Sequence, residues 1–447
     1  MKTALHNYDI FPKVMLADQT TSITIKPLGE HAAFAGSYTM QVLSMAHGRK
    51  SVYTTRNSFW ELPTSPDPDG CIRFSFTFPE EGEYLVRLLK EQDKIVDLSV
   101  YALEKDMEGR YPYRGDLHMH TFRSDGRQSP AVVAADYRKN GYDFTVISDH
   151  HRYYPSLEAM DAYRDVPVEM TIVAGEEIHL PGNDIHMINF GGSYSVNGLL
   201  DCSKQNEESD RRAAIDNPPP VLTEEEYRAE VNALMETLDI PDGIEGFTYA
   251  SCVWVFNHIR KGGGLGIFAH PYWRCNGPYQ VPETFCEYMT KTHPFDAFEV
   301  LGGERYFEQN GFQTIRYYED RAKGISYPIV GSTDSHNSIP EDNPRALMCS
   351  TFVFAEENTA GSLICAVRDE YSVAVDTISK EYRLVGDLRL VKYARFLLDE
   401  FTPLHDELCF EEGRLMKAYV TGDEEAEAGL RFISGRMKRL YDKYFAL

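Results

Sequence analysis

The sequence predicts an α/β protein: a β-rich segment over residues 1–110, a β/α region over 111–378 and a helical carboxy-terminal extension over 379–447. Three observations carry this reading. The first segment holds alternating stretches (SITIKPL, YTMQVLSM, CIRFSFTF, EYLVRLL) separated by Gly, Pro and charged turns. From Gly115 onward, short apolar runs alternate with helical patterns. After about Ser379 the pattern is helical to the end, with an amphipathic stretch FISGRMKRLYDKYF.

Each part has local signals behind it. In FPEEGEYLVRLL a turn signal precedes alternating apolar residues, as in a sheet with one face on a core and the other in water, so a β-sandwich-like amino-terminal domain is expected. In the β/α region, Ser129-Pro130 opens a helix through AVVAADYRK, and Asn140-Gly141 closes it before the apolar run DFTVI. Thr223 and Glu226 have capping-box spacing ahead of EEEYRAEVNALMETL. Gly262, Gly263 and Gly264 separate the helix-like VWVFNHIRK from LGIFA. TIVA, HMINF, AFEVL, PIVG and SVAVD are further strand candidates. Residues 191–247, polar and containing NPPP, are longer than a normal βα connection and read as an insertion, either a surface excursion or a lid.

Composition bounds the function. With 447 residues the chain exceeds one ordinary core, and 43% hydrophobic with 26% charged residues marks a globular protein. The net charge, 45 minus 69 or −24, disfavours a nucleic-acid polymer or an anionic membrane as partner. It leaves a small phosphate ester open, because bound cations reverse the local field. No apolar run reaches the length of a membrane span, and MKTALHNYDIFPKVMLADQT lacks the apolar centre of a leader, so a cytoplasmic location is expected. The eight cysteines contain no CxxC pair and read as reduced thiols.

Five apolar runs end in potential metal ligands: LHMH, TVISDHH, TIVAGEEIH, GIFAHP and PIVGSTDSH. In a β/α barrel such strand ends converge on one face. Residues two apart on a strand point to the same side, so one strand can offer two ligands. His118/His120, Glu177/His179, Asp184/His186 and Asp334/His336 all have that spacing. Each pair alone is a weak signal. The five runs together with His186 gather eight of the 14 histidines, and mixed imidazoles and carboxylates suit Zn, Mn or Fe.

At residue level, DLHMHTFRSDG, ISDHH, GEEI, DIHMINF, FAHP and STDSH, in this order, resemble the polymerase and histidinol phosphatase (PHP) superfamily over roughly Tyr113 to Asp376. The resemblance implies a distorted (β/α)7 barrel with up to three divalent metal ions that hydrolyse phosphoesters. It implies His118, His120, Asp125, His150, Glu177, His186, His270, Asp334 and His336 as metal ligands, with Glu177 bridging. The family offers His or a carboxylate where Asp125 stands. Glu176 competes with Glu177, and the GxE spacing from Gly175 favours Glu177. Glu299 resembles a family acidic position, with a structural ion pair as the alternative reading.

The expected reaction is hydrolysis of a small phosphate monoester by a hydroxide held between two cations, with Glu177, Asp334 and His336 as catalytic residues. Arg152, Arg274 and Arg305 lie near the motifs and are candidates for the substrate phosphate, because guanidinium matches phosphate bidentately. His151, His179 and His258 match no motif and read as supporting or surface residues. Asp149 and Asp184 are candidates to orient imidazoles. Two other readings stand beside this one: a metal-dependent amidohydrolase, and a non-catalytic metal-stabilised barrel that serves partner binding.

Overall fold

The computed structural model describes residues 4–47, 59–302, 306–339, 349–377 and 383–447. It divides into two compact units, one of residues 1–111, 388–408 and 435–447, the other of 112–387 and 409–434. The carboxy-terminal segment therefore contributes to both. It is also not helical throughout, since Arg383–Val385 and Phe445–Ala446 are strands.

In the first unit two sheets share one apolar core. The strands Tyr8–Phe11, Thr20–Pro27 and Ile72–Thr77 form one. The other contains the long hairpin of Gly82–Lys90 with Asp93–Leu103. Ile10, Ile23, Ile25 and Ile72 from the first meet Met40, Val42, Val86, Leu88 and Val100 from the second. Alternate residues of Tyr38–Ser44 are buried, as the sequence pattern requires of a sheet with one wet face.

The second unit is mixed α/β and also has two sheets. One runs in the order Thr171–Val173, Phe144–Val146, Tyr111–Asp116, Cys349–Ala355, Ser372–Asp376, Arg383–Val385. The other runs Gly175–Leu180, Asn183–Phe190, Leu265–Phe268, Ala297–Leu301, Ile329–Gly331. Its first two strands are an antiparallel hairpin, and its last three are parallel. Isolated parallel bridges, Met119 to Ser335 and His150 to Glu177, link residues of the two sheets at strand ends.

Neighbouring residues on these strands enter different cores. Ile188, Ile267, Ala297 and Val330 join a cluster with Phe144, Val146 and Val353 of the other sheet. Met187, Phe268, Phe298 and Ile329, one position away, join a cluster with the helices, through residues such as Phe256 and Phe285. A strand buried on both faces must read as a continuous apolar run, which is why LGIFA and AFEVL show no alternation.

The helix Pro130–Lys139 has Pro at its first turn, and the capping box of Thr223 and Glu226 opens Glu224–Met235. The insertion is not a plain surface excursion: Tyr227 and Val231 are fully buried, and bridges pair Tyr194 with Ala213 and Leu200 with Leu222. No helix among the described residues is long and apolar enough to cross a membrane.

Arg138 ties the carboxy-terminal helix Thr402–Val420 to this unit. Its guanidinium is fully buried, donates to Asp143 Oδ1 (3.0 Å) and the Tyr142 carbonyl (3.1 Å), and pairs with Glu412. Arg138→Met is expected to destabilise the protein by ~3–5 kcal/mol, because it leaves buried carboxylates without their countercharge. Urea denaturation followed by tryptophan fluorescence checks this, and an unchanged midpoint would contradict it.

Candidate metal centre

The polar strand ends of the second unit meet at one place. His118 and His120 follow the strand Tyr111–Asp116, His150 follows Phe144–Val146, and Glu177 sits on Gly175–Leu180. His186 lies on Asn183–Phe190, His270 follows Leu265–Phe268, and Asp334 and His336 follow Ile329–Gly331. Asp125 arrives on the SDG turn, which is held against the HxH backbone by Gly126 N–H donating to Thr121 O (2.9 Å). A Cβ on Gly126 would stand 2.6 Å from the His120 carbonyl oxygen, so only glycine permits this approach.

Four donor atoms crowd the centre. His120 Nε2 lies 2.8 Å from Asp334 Oδ1, 3.2 Å from His118 Nε2 and 3.5 Å from Glu177 Oε2. His118 Nε2 lies 3.2 Å from Asp334 Oδ1 and 3.6 Å from Glu177 Oε2. Ligands at 2.0–2.1 Å from one cation stand about 3.0–3.4 Å apart, so these separations fit a shared ion. Glu177 extends the cluster: Oε1 is 2.6 Å from His186 Nδ1 and Oε2 is 2.6 Å from His150 Nδ1. On another side, Asp125 lies 3.6 Å from His150 Nε2 and 3.3 Å from His336 Nε2. His270 stacks on His118 at 5.4 Å between centroids, with Nε2 3.7 Å from Asp334 Oδ2. All nine positions thus come together.

Hydrogen bonding leaves this cluster incomplete. Both oxygens of Glu177, both ring nitrogens of His270, His120 Nδ1 and His186 Nδ1 are buried with no hydrogen-bond partner among the described residues. Each such group costs ~1–3 kcal/mol if nothing meets it. A set of buried carboxylates and imidazole lone pairs at ligand spacing is what divalent cations satisfy, so the residues fit them.

The electrostatics are set by this crowding. Burial opposes protonation of His118, but Asp334, Glu299 and Glu177 outweigh it and raise its pKa well above the usual value. Against the same penalty, Glu177 and Asp125 raise His150 to about 10, and Asp125 and Asp334 raise His336 to about 9. Burial dominates at His120 and His270, which fall to about 3. Glu177 is held well below the carboxylate range despite burial, by His150, His186, His179 and His118.

Further residues fix the ligands. Glu299, fully buried, accepts from His118 Nδ1 at 3.0 Å, which directs the Nε2 lone pair inward. Of the two readings of Glu299, this contact is an imidazole-orienting ion pair. Asp116 Oδ1 accepts from the backbone N–H of both His118 and Thr333 (3.1 Å each), and Oδ2 accepts from Thr333 Oγ1 (2.6 Å). One carboxylate therefore registers the HxH segment against the DxH segment. Asp149 accepts from Thr121 N, Thr121 Oγ1 and Ser124 Oγ, so it braces the loop after HxH rather than an imidazole. Asp184 is exposed and holds Gln280 through its carbonyl. Glu176 faces away from Glu177 and accepts from Ser195 Oγ, Val196 N and Asn197 Nδ2 of the insertion. Asp334 (φ 49°) and His151 (φ 63°) adopt left-handed backbone, a local strain of the kind that gathers at working sites.

Two residues enlarge the set. His179 Nε2 lies 2.9 Å from His150 Nδ1 and 3.6 Å from Glu177 Oε2. Its spacing from Glu177 was the signal in the sequence, but no motif matched it. Trp273 lies with its ring 5.7 Å from that of His186 and 5.9 Å from that of His270, which nothing in the sequence announced beyond its closeness to His270. The candidate arginines are otherwise engaged. Arg152 donates to Glu208 Oε1 (2.7 Å) and the His150 carbonyl, and Arg274 pairs with Glu308 at 3.3 Å. Arg305 lies outside the described residues.

No protein-family model and no curated protein matches the sequence. Among solved structures, the chain is similar to a two-domain protein from Bacteroides vulgatus described as containing a PHP-like metal-dependent phosphoesterase. That match has 15% identity, 60% of this chain, 65% of that chain and a TM-score of 0.40. The match thus spans just under two thirds of that protein's own length. A protein from Bifidobacterium adolescentis, described as a metal-dependent phosphoesterase, aligns at 16% identity over 50% of this chain and 87% of its own, with a TM-score of 0.31. An amidohydrolase from Chromobacterium violaceum, solved with sulfate and no metal, aligns at 18% identity over 50% and 87%, with a TM-score of 0.29.

Two outcomes follow from the site. Glu299→Gln and Asp116→Asn are each expected to weaken divalent-metal affinity by about 10–100-fold, measured by competition with a chromogenic chelator. Metal uptake must displace the protons that His118, His150 and His336 hold at neutral pH, so affinity should rise with pH. Calorimetric titration in two buffers of different ionisation enthalpy tests this, and equal heats in both would count against it.

Proposed function

We propose that the chain hydrolyses small phosphate esters at a centre of three divalent cations, Zn, Mn or Fe. The ligands in this reading are His118, His120, Asp125, His150, Glu177, His186, His270, Asp334 and His336. The observation that carries it is the meeting of all nine motif positions, with Glu177 buried and both its oxygens within 2.6 Å of different imidazoles. We read the two sheets, which share a core and are bridged at strand ends, as the distorted (β/α)7 barrel that the motifs imply.

When bound, divalent cations lower the pKa of a coordinated water and neutralise charge on phosphate oxygens. The protein's own residues divide the remaining work. Glu177 joins the ligand groups, since its two oxygens face different histidines. Asp334 does the same with Oδ1 toward the HxH pair and Oδ2 toward His270. His336 is held by the Asp334 carbonyl through Nδ1 (3.0 Å), which leaves Nε2 facing Asp125.

Exposure supports one direction of approach. His118, His120 and Glu177 side chains are 0% exposed, whereas Asp125 is 56%, His336 25% and His150 21% exposed. In this reading substrate meets the Asp125, His150 and His336 side. For Arg152 or Arg274 to bind the phosphate, either would have to leave Glu208 or Glu308.

Metal-loaded protein is expected to release phosphate from a panel of phosphomonoesters, and His118→Ala and Asp334→Ala to reduce release to background while circular dichroism stays unchanged. Full metal occupancy without turnover of monoesters, diesters or nucleotides would sink the proposal. Cleavage of lactones or amides instead would move the assignment to an amidohydrolase.

A further inference from the structure

Three aromatic rings border a cavity of about 260 Å³ beside the loop that follows His270. They are Tyr272, Tyr279 and Phe312. Their centroids stand 5.6, 5.8 and 6.1 Å apart, with interplanar angles of 79°, 59° and 81°. Rings that line one cavity can each offer a face to a bound cation, which is attracted within ~6 Å of a ring centroid.

Charge favours a cation. Glu283, Arg316 and Glu319 border the same cavity; with Asp320 beside Arg316 and Lys323 paired with Glu319 at 3.2 Å, three carboxylates face two cations and leave one negative charge in excess. Arg316 does not dominate, because it is bound by Glu283 and lies 3.9 Å from Glu319 and 3.8 Å from Asp320. Glu283 Oε1 also accepts from Tyr272 OH at 3.0 Å. Both contacts fall on Oε1, and the charge of the carboxylate still acts on the cavity. A primary ammonium brings three donors that need acceptors, whereas a quaternary ammonium needs only ring faces and a negative field. Phe312 is 40% exposed, so the cavity is open to solvent.

We propose that this cavity binds a quaternary ammonium group, such as the trimethylammonium end of a small molecule. The site is separate from the metal cluster in composition and does not rest on the hydrolase reading. Tyr272 stands two residues from His270 on one loop, and none of the nine ligand positions lines the cavity.

Proton NMR titration of the full chain with tetramethylammonium and choline tests the proposal, with the neutral isostere 3,3-dimethylbutan-1-ol as control. Saturable binding of both cations is expected, with the neutral isostere about tenfold weaker or undetected. Phe312→Leu and Tyr279→Leu are each expected to weaken cation binding about fivefold, and Phe312→Trp to retain it. Phe312 is partly exposed, so its variants should fold even if the Tyr279 variant does not. Equal binding of the neutral isostere, no saturation by either cation, or undiminished binding by Phe312→Leu would each overturn the proposal.

Discussion

The second unit is organised around a negative charge that has been taken out of water. Glu177 is fully buried, and isolating a carboxylate in this way costs several kcal/mol unless opposite charge surrounds it. Its surroundings are imidazoles delivered by separate strands, so sheet order, hairpin and bridges all serve one electrostatic requirement. The antiparallel hairpin brings His186 back beside Glu177, and the His150–Glu177 bridge delivers His150 from the other sheet. Remove the requirement and little else explains why so many polar strand ends face inward.

Around that centre is a layer of groups that do not meet it. Glu299 sets the ring of His118, Asp116 ties two loops that are far apart in sequence, and Asp149 holds the turn that carries Asp125. The left-handed backbone at Asp334 is held by a bond of its own, Asp334 N–H donating to the His118 carbonyl at 2.9 Å. Position at the centre is thus decided by hydrogen bonds one step out, where geometry can be enforced without competing for a ligand's lone pair.

How much of this could be read from the sequence depends on range. The HxH and DxH pairs, the Glu176/Glu177 alternatives and the capping box are local, and two-residue or three-residue spacing expresses them directly. So do runs such as LGIFA and AFEVL, whose lack of alternation follows from burial on both faces. The strand Cys349–Ala355 ends no polar group, and nothing in its own residues marked it as adjacent to Tyr111–Asp116. Asp116 looks like part of a ligand motif, yet its partner Thr333 is 217 residues away. His179 carried the right spacing but no motif. Arg152 and Arg274 were attractive because arginine suits phosphate, and only the fold shows Glu208 and Glu308 already beside them.

The insertion after Gly191 has an architectural consequence. Its first residues grip Glu176, the immediate neighbour of the central carboxylate, through Ser195, Val196 and Asn197, and Asn197 also donates to the Glu177 carbonyl. A segment that in other circumstances could be trimmed or exchanged as a detachable accessory is here part of the foundation. Modularity stops at that seam: altering the excursion's entry would disturb the seat of the ion cluster itself.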